Sequence, residues 1–160
     1  MIRSGFAALC VSAVACLGTA SAQEAGDASR AVIQAMYEAA SRGDAEAYAA
    51  MMSPDIVWME AENFPYADGN PYVGPEAIMG GVIMRIMADW PEWALAPETF
   101  IAEGNRVVVL GRYNGRHGVT GNTISAQFVH VWTVEDGLAT AMQQYADTAQ
   151  VRAAMQLSMD

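Results

Sequence analysis

The chain has 160 residues, 53% of them hydrophobic, and a net charge of −10 at pH 7. That is enough chain for one domain with a core of its own. The eight basic residues are all arginines, set against 18 acidic ones, which excludes Schiff-base chemistry on lysine and disfavours docking to nucleic acid or to anionic membrane surfaces.

Residues 1–22 have the order of a secretory leader. Met1-Ile2-Arg3 is a short positive start, Phe6 to Leu17 is apolar and uncharged, and Ala20-Ser21-Ala22 is a small-residue cleavage pattern before Gln23. The apolar run is shorter than the ~20 residues a bilayer span requires. Lipidation at Cys16 is the rival, although Ala13 stands where such sites usually carry Leu. The expectation is a periplasmic or secreted domain of residues 23–160, with no membrane association in its mature form. Both cysteines, Cys10 and Cys16, fall in the leader, so the mature chain would have no disulfide, thiol nucleophile or thiolate metal ligand.

Apolar residues at helical spacing (Val32, Ile33, Met36, Tyr37, Ala40) predict a helix over 29–42. Gly43 closes it, and Asp44 is a suitable N-cap for a second helix, Ala45 to Met52. Ile56 to Glu60 alternates as a strand with Ile56, Trp58 and Glu60 on one face. Residues 61–75 form a long loop rich in Pro, Gly, Asn and aromatics, in which Phe64-Pro65-Tyr66 is either a lid for a pocket or a segment packed under a neighbouring helix. Gly74-Pro75-Glu76 opens a third, largely apolar helix running to about Asp89. Four strands follow, over 93–103, 106–117, 122–134 and 138–146, joined by short Gly/Asn/Asp turns, and a last helix covers Thr148 to about Met155. This order predicts an α+β cone. A curved antiparallel sheet carries three N-terminal helices over its concave face, with a pocket between them.

Five blocks carry a family resemblance: Asn63-Phe64-Pro65-Tyr66; Tyr72 to Ile78; Phe100 to Val109; Phe128 to Gly137; and Gln144-Tyr145-Ala146-Asp147-Thr148. Across 29–157 the chain resembles the SnoaL-like, ketosteroid-isomerase-related branch of the NTF2-like superfamily. The resemblance implies the NTF2-like cone and, often, a homodimer. It is compatible with isomerases, cyclases, dehydratases, hydrolases and binding modules alike. In polyketide cyclases of this group an acidic residue on a late strand faces the pocket in an Asp-x-aromatic context. The matching position here is His130 in His130-Val131-Trp132, so an imidazole replaces the acid. The isomerases' base and oxyanion hole have no match that can be placed.

Strand alternation puts Phe128, His130, Trp132 and Val134 on one face. His130 is either a general acid/base or a core histidine bonded to a tyrosine or carboxylate. Trp58 and Glu60 project on the same side, and Glu60 is a candidate acidic partner whose pKa an apolar wall would raise. Gln143 and Tyr145 share a face of the last strand, as possible donors to a substrate oxygen. The candidate set is thus His130 as catalyst, with Trp58, Glu60, Tyr66, Trp132, Gln143 and Tyr145 as substrate contacts. No metal cluster, phosphate loop, nucleophile elbow or dinucleotide fingerprint occurs, so the expected chemistry is proton transfer without a metal or cofactor. The expected partner is a small apolar carbonyl or polycyclic compound, with plain ligand capture or a purely structural role as alternatives.

Overall fold

The computed structural model describes residues 12–158, with side chains from residue 21 onward. The positive start of the leader lies outside the described residues. The elements run α1 (Ser12–Ser41), α2 (Ala45–Ala50), β1 (Met52–Met59), β2 (Tyr72–Val73), α3 (Pro75–Ile78), a π-helical turn (Met79–Ile83), α4 (Met84–Asp89), β3 (Glu92–Glu103), β4 (Arg106–Arg116), β5 (Thr123–Glu135), β6 (Leu138–Ala146) and α5 (Thr148–Met155). Among the described residues no helix is long and apolar enough to cross a membrane.

The strands form one six-stranded sheet in the order β2-β1-β6-β5-β4-β3. β3 to β6 are the antiparallel meander that the short turns imply. The β5–β6 turn uses Asp136 and Gly137, both at positive φ (50° and 79°), the backbone that a two-residue hairpin needs. The sheet is not antiparallel throughout: β1 enters parallel to β6, pairing Val57 with Ala141 and Trp58 with Met142. The helical and loop segments between β1 and β3, together with the meander, deliver the chain to that edge from the far side of the sheet.

Helix α1 lays Ile33, Met36, Tyr37 and Ala39 into the concave face. Ser29 fastens it to the β3–β4 turn by donating to the Gly104 carbonyl at 3.0 Å. Gly43, at φ 68°, reverses the chain, and the Asp44 carboxylate accepts the Ala47 amide at 3.0 Å to start α2. The third predicted helix is real but interrupted, because Met79–Ile83 is wound as a π turn between α3 and α4. Gly80 and Gly81 make the irregularity cheap, and the Tyr72 ring fills the space a side chain would need. A Cβ on Gly81 would lie 2.3 Å from Tyr72 Cε1. Such turns are frequent at functional sites, and this one contributes Met79, Val82 and Ile83 to the wall of the hollow described next.

Candidate functional site

The hollow measures about 310 Å³ and lies between the concave sheet and a roof made by the α1–α2 turn, the π turn and α4. Met87, Ile83 and Ala45 stand in the roof; Trp58, Glu60, Trp93, Tyr113, His130 and Gln144 form the floor. Tyr48 of α2 also lines it, and its hydroxyl has no hydrogen-bond partner among the described residues.

Glu60 follows β1 directly. It is 2% exposed, and both ends of the residue are tied. The Trp58 indole, two residues back on the same strand face, donates to Oε1 at 2.6 Å. Asn70 grips the backbone from both sides, accepting the Glu60 amide at 3.0 Å and donating to its carbonyl at 2.8 Å. The other carboxyl oxygen, Oε2, is buried without a partner. Burial pushes the Glu60 pKa up from 4.5 to about 7, with the Trp58 indole and the Gln144 amide pulling weakly the other way. A carboxyl group that exchanges protons near neutrality, with one oxygen unpartnered in a residue that lines a hollow, is equipped for acid/base work.

His130 is in the opposite condition. Its ring is 3% exposed and lines the hollow as expected, but both nitrogens are taken. Tyr37 Oη lies 2.6 Å from Nδ1 and Tyr113 Oη 2.5 Å from Nε2. Phe128 stacks on the ring at 4.3 Å. Burial drives its pKa down from 6.5 to about 3, so the imidazole is neutral throughout the physiological range. The network continues through Gln144, which donates to Tyr113 Oη at 2.8 Å and accepts the Ala61 amide at 3.0 Å. Burial likewise raises the pKa of Tyr37, Tyr48 and Tyr113, so all three phenols stay protonated.

Three of the seven residues expected from the sequence therefore meet at the hollow: His130, Trp58 and Glu60. Gln143 and Tyr145 do not. They occupy the outer face of the sheet, where Tyr145 is 59% exposed, and Gln144 takes the inward position between them. The cause is a bulge. Thr133 pairs with Ala141 and Val134 with Ala139, so Thr140 is skipped and the alternation of β6 changes phase. Trp132 is on the correct face and buried but does not line the hollow, packing edge-on against Trp58 at 5.4 Å. Tyr66 is no pocket residue either, and the segment it belongs to is packed rather than a lid. Its hydroxyl donates to Asp89 at 2.9 Å and accepts the Trp90 indole at 3.0 Å, with Phe64 edge-on at 5.6 Å.

Tyr48, Tyr113, Tyr37 and Gln144 were not singled out in advance. Tyr113 carried a signal: Val107, Val109, Gly111 and Tyr113 alternate along β4 towards the core. Tyr37 stood among the apolar positions of α1 as apparent packing, and Tyr48 gave no sign beyond its place on a short helix. Among the described residues no cluster of acidic, His or Cys side chains could hold a metal ion.

Comparison with known proteins agrees with this architecture. The SnoaL-like domain family model matches residues 33–142. An NTF2-like protein from Burkholderia thailandensis is 30% identical, with a TM-score of 0.76 over 80% of this chain and 97% of that one. TerC, co-crystallised with polyporic acid, is also 30% identical, with a TM-score of 0.73 over 81% and 98% of the two chains. IdmH from Streptomyces antibioticus shares the fold at 19% identity, with a TM-score of 0.68 over 81% and 99%. No curated protein matches the chain. With the family model covering well over half of its length, the chain belongs to the SnoaL-like domain family of the NTF2-like superfamily.

Proposed function

We propose that this domain binds a small, neutral, largely apolar carbonyl compound and moves a proton on it, with Glu60 as the proton carrier. The observation that carries the reading is the unpartnered Oε2 of Glu60, buried at the wall of a ligand-sized hollow. The carboxylate would take a proton from the carbon next to a carbonyl, and the electron pair left behind moves onto the carbonyl oxygen. Return of that proton to the same or another carbon gives exchange or isomerisation, and the same elementary step serves ring closure or dehydration. The free hydroxyl of Tyr48 faces the same space and is suited to donate to the oxygen as charge develops there.

The lining disfavours an anionic ligand. Its charged members are Asp44 and Glu60, while His130 is uncharged, so an anion would meet no counter-charge. TerC's co-crystallisation with polyporic acid supports a small organic occupant for this cone. A binding module without turnover is the second reading, favoured by the fully bonded state of His130.

Both readings are separated by incubating the protein in D₂O with a panel of neutral cyclic ketones. Binding is followed by fluorescence of the tryptophans in the hollow, and deuterium uptake by mass spectrometry. Uptake by the wild type that Glu60→Gln abolishes without loss of binding is the expected result. Binding with no uptake leaves the module, and uptake unchanged in Glu60→Gln overturns the role of Glu60.

We also propose export directed by residues 1–22, tested by whether protein from the periplasmic fraction has the mass of a chain starting at Gln23. For a homodimer, the support is the half-exposed row Val108, Leu110, Val129, Val131 and Tyr145 on the outer sheet face. Val131→Glu should halve the mass seen by light scattering if that row is the interface.

A further inference from the structure

The hydrogen-bond chain across the floor fixes which atom meets the ligand's oxygen. Gln144 Oε1 accepts the Ala61 amide, so the amide orientation is set and its Nε2 donates to Tyr113 Oη. A neutral imidazole has one N–H and one lone pair, leaving two arrangements for His130 between its two phenols. With the proton on Nδ1, Tyr37 Oη would accept from His130 and Tyr113 would donate to Nε2. The Tyr37 hydroxyl proton would then be buried with no acceptor.

Tyr37 has no hydrogen-bond partner besides His130 among the described residues and does not line the hollow, so that arrangement strands its proton. With the proton on Nε2 every group is accommodated. Tyr37 donates to Nδ1, and His130 donates to Tyr113. Tyr113 then accepts from two donors, Gln144 and His130, and its own proton is unassigned at the wall of the hollow.

We infer that Tyr113 is the hydroxyl that binds the ligand's carbonyl oxygen, and that His130 is a positioning residue, held as the Nε2–H tautomer to donate to Tyr113. This deepens the function proposed above by assigning the oxygen subsite, and it rests on that reading only for the identity of the ligand. Two donors on the phenol oxygen polarise its O–H outward. An imidazole that never titrates keeps the arrangement the same at all working pH values. The hydroxyl of Tyr48 is then a second donor on the opposite wall, not the main one.

Two experiments test this. ¹⁵N-imidazole NMR of the unliganded wild-type protein should show His130 as the Nε2–H tautomer, unchanged between pH 5 and 8. An Nδ1–H tautomer, or titration within that range, overturns the assignment regardless of whether the protein turns anything over. The second compares 2-tetralone with tetralin, the same skeleton without the oxygen. The wild type should prefer the ketone by about tenfold, the size of one well-made hydrogen bond. Tyr113→Phe should abolish the preference while leaving tetralin affinity unchanged, and His130→Gln, which retains a donor, should keep most of it. No ketone preference in the wild type, or one that survives Tyr113→Phe, sinks the subsite. Because the readout is binding, a failed exchange assay against Glu60 and a failed oxygen subsite remain separate results.

Discussion

Two titratable groups share one hollow, and their surroundings divide the work between them. At the His130 corner each polar atom of the ring is bonded to a phenol. At the Glu60 corner one oxygen is bonded to Trp58 and the other has nothing. Burial acts on both, neutralising the imidazole outright and bringing the carboxyl into the physiological range. The residue type most associated with proton transfer is thus the scaffold, and the less conspicuous glutamate is the reactive group. Identity says which chemistry a side chain can do; the bonds it lacks say which it is free to do.

The sharpest way to break this comparison is to exchange the roles. Glu60→Gln should reduce ketone proton exchange by at least about a hundredfold, the usual worth of a general base. His130→Gln should cost about tenfold or less, the value of a perturbed hydrogen bond. Initial rates of deuterium uptake check both, and equal losses would erase the distinction.

The next effect is in stability against pH. Between pH 4.5 and about 7 the folded protein holds a proton on Glu60 that the unfolded chain has lost, so this residue makes stability fall as pH rises. His130 does the reverse between about 3 and 6.5, because there only the unfolded chain carries the imidazole proton. The two slopes oppose each other in the overlap. Glu60→Gln should remove one of them, and its stability relative to wild type should rise by about 3 kcal/mol across pH 4.5 to 7. Urea unfolding midpoints at several pH values measure the divergence, and parallel curves would mean that Glu60 is not desolvated.

Gly111→Ala probes the His130 corner by crowding. The added methyl would stand 2.5 Å from the Ala96 carbonyl and 2.6 Å from the Phe128 ring that stacks on the imidazole. The expected cost is about 2 kcal/mol in thermal or denaturant unfolding. Trp58→Phe should act on the other corner alone. Without the indole N–H, the Glu60 pKa moves further up, and the rising limb of the exchange rate moves to higher pH. The smallest effect is expected at Arg85, whose guanidinium pairs with Asp68 at 2.6 Å on the surface, both side chains well exposed. Arg85→Met should change stability by less than about 1 kcal/mol and leave both corners as they are.

Much of this could be read in the chain. The hairpin turns and alternation of residues 92–146 placed four strands to within a residue or two, because short Gly/Asn/Asp turns leave little freedom between long strands. The inward face of β5, with His130 on it, follows from a clean period of two. The parallel entry of β1 was not legible, since nothing local states which edge a strand joins. The start of β1 at Met52 was hidden by Ser53-Pro54-Asp55, a sequence that ordinarily breaks structure. The partner of Glu60 was visible as Trp58 at i−2, whereas the pairing of Gln144 with Tyr113 spans 31 residues and depends on the curvature of the sheet.

The bulge at Thr140 has a consequence for how such a wall can change. Because side chains along a strand alternate, a β6 that ran straight while keeping every residue would pair His130 with Gln143 instead of Gln144. Gln143 and Tyr145 would then look inward and Gln144 outward, bringing a phenol onto the concave face. Half of the floor would acquire new chemistry while the helices, the roof and the overall shape stayed in place. Deleting Thr140 itself would change none of this, since it removes only the extra residue and leaves Gln144 opposite His130; the irregularity, not the residue in it, selects which set of side chains looks inward.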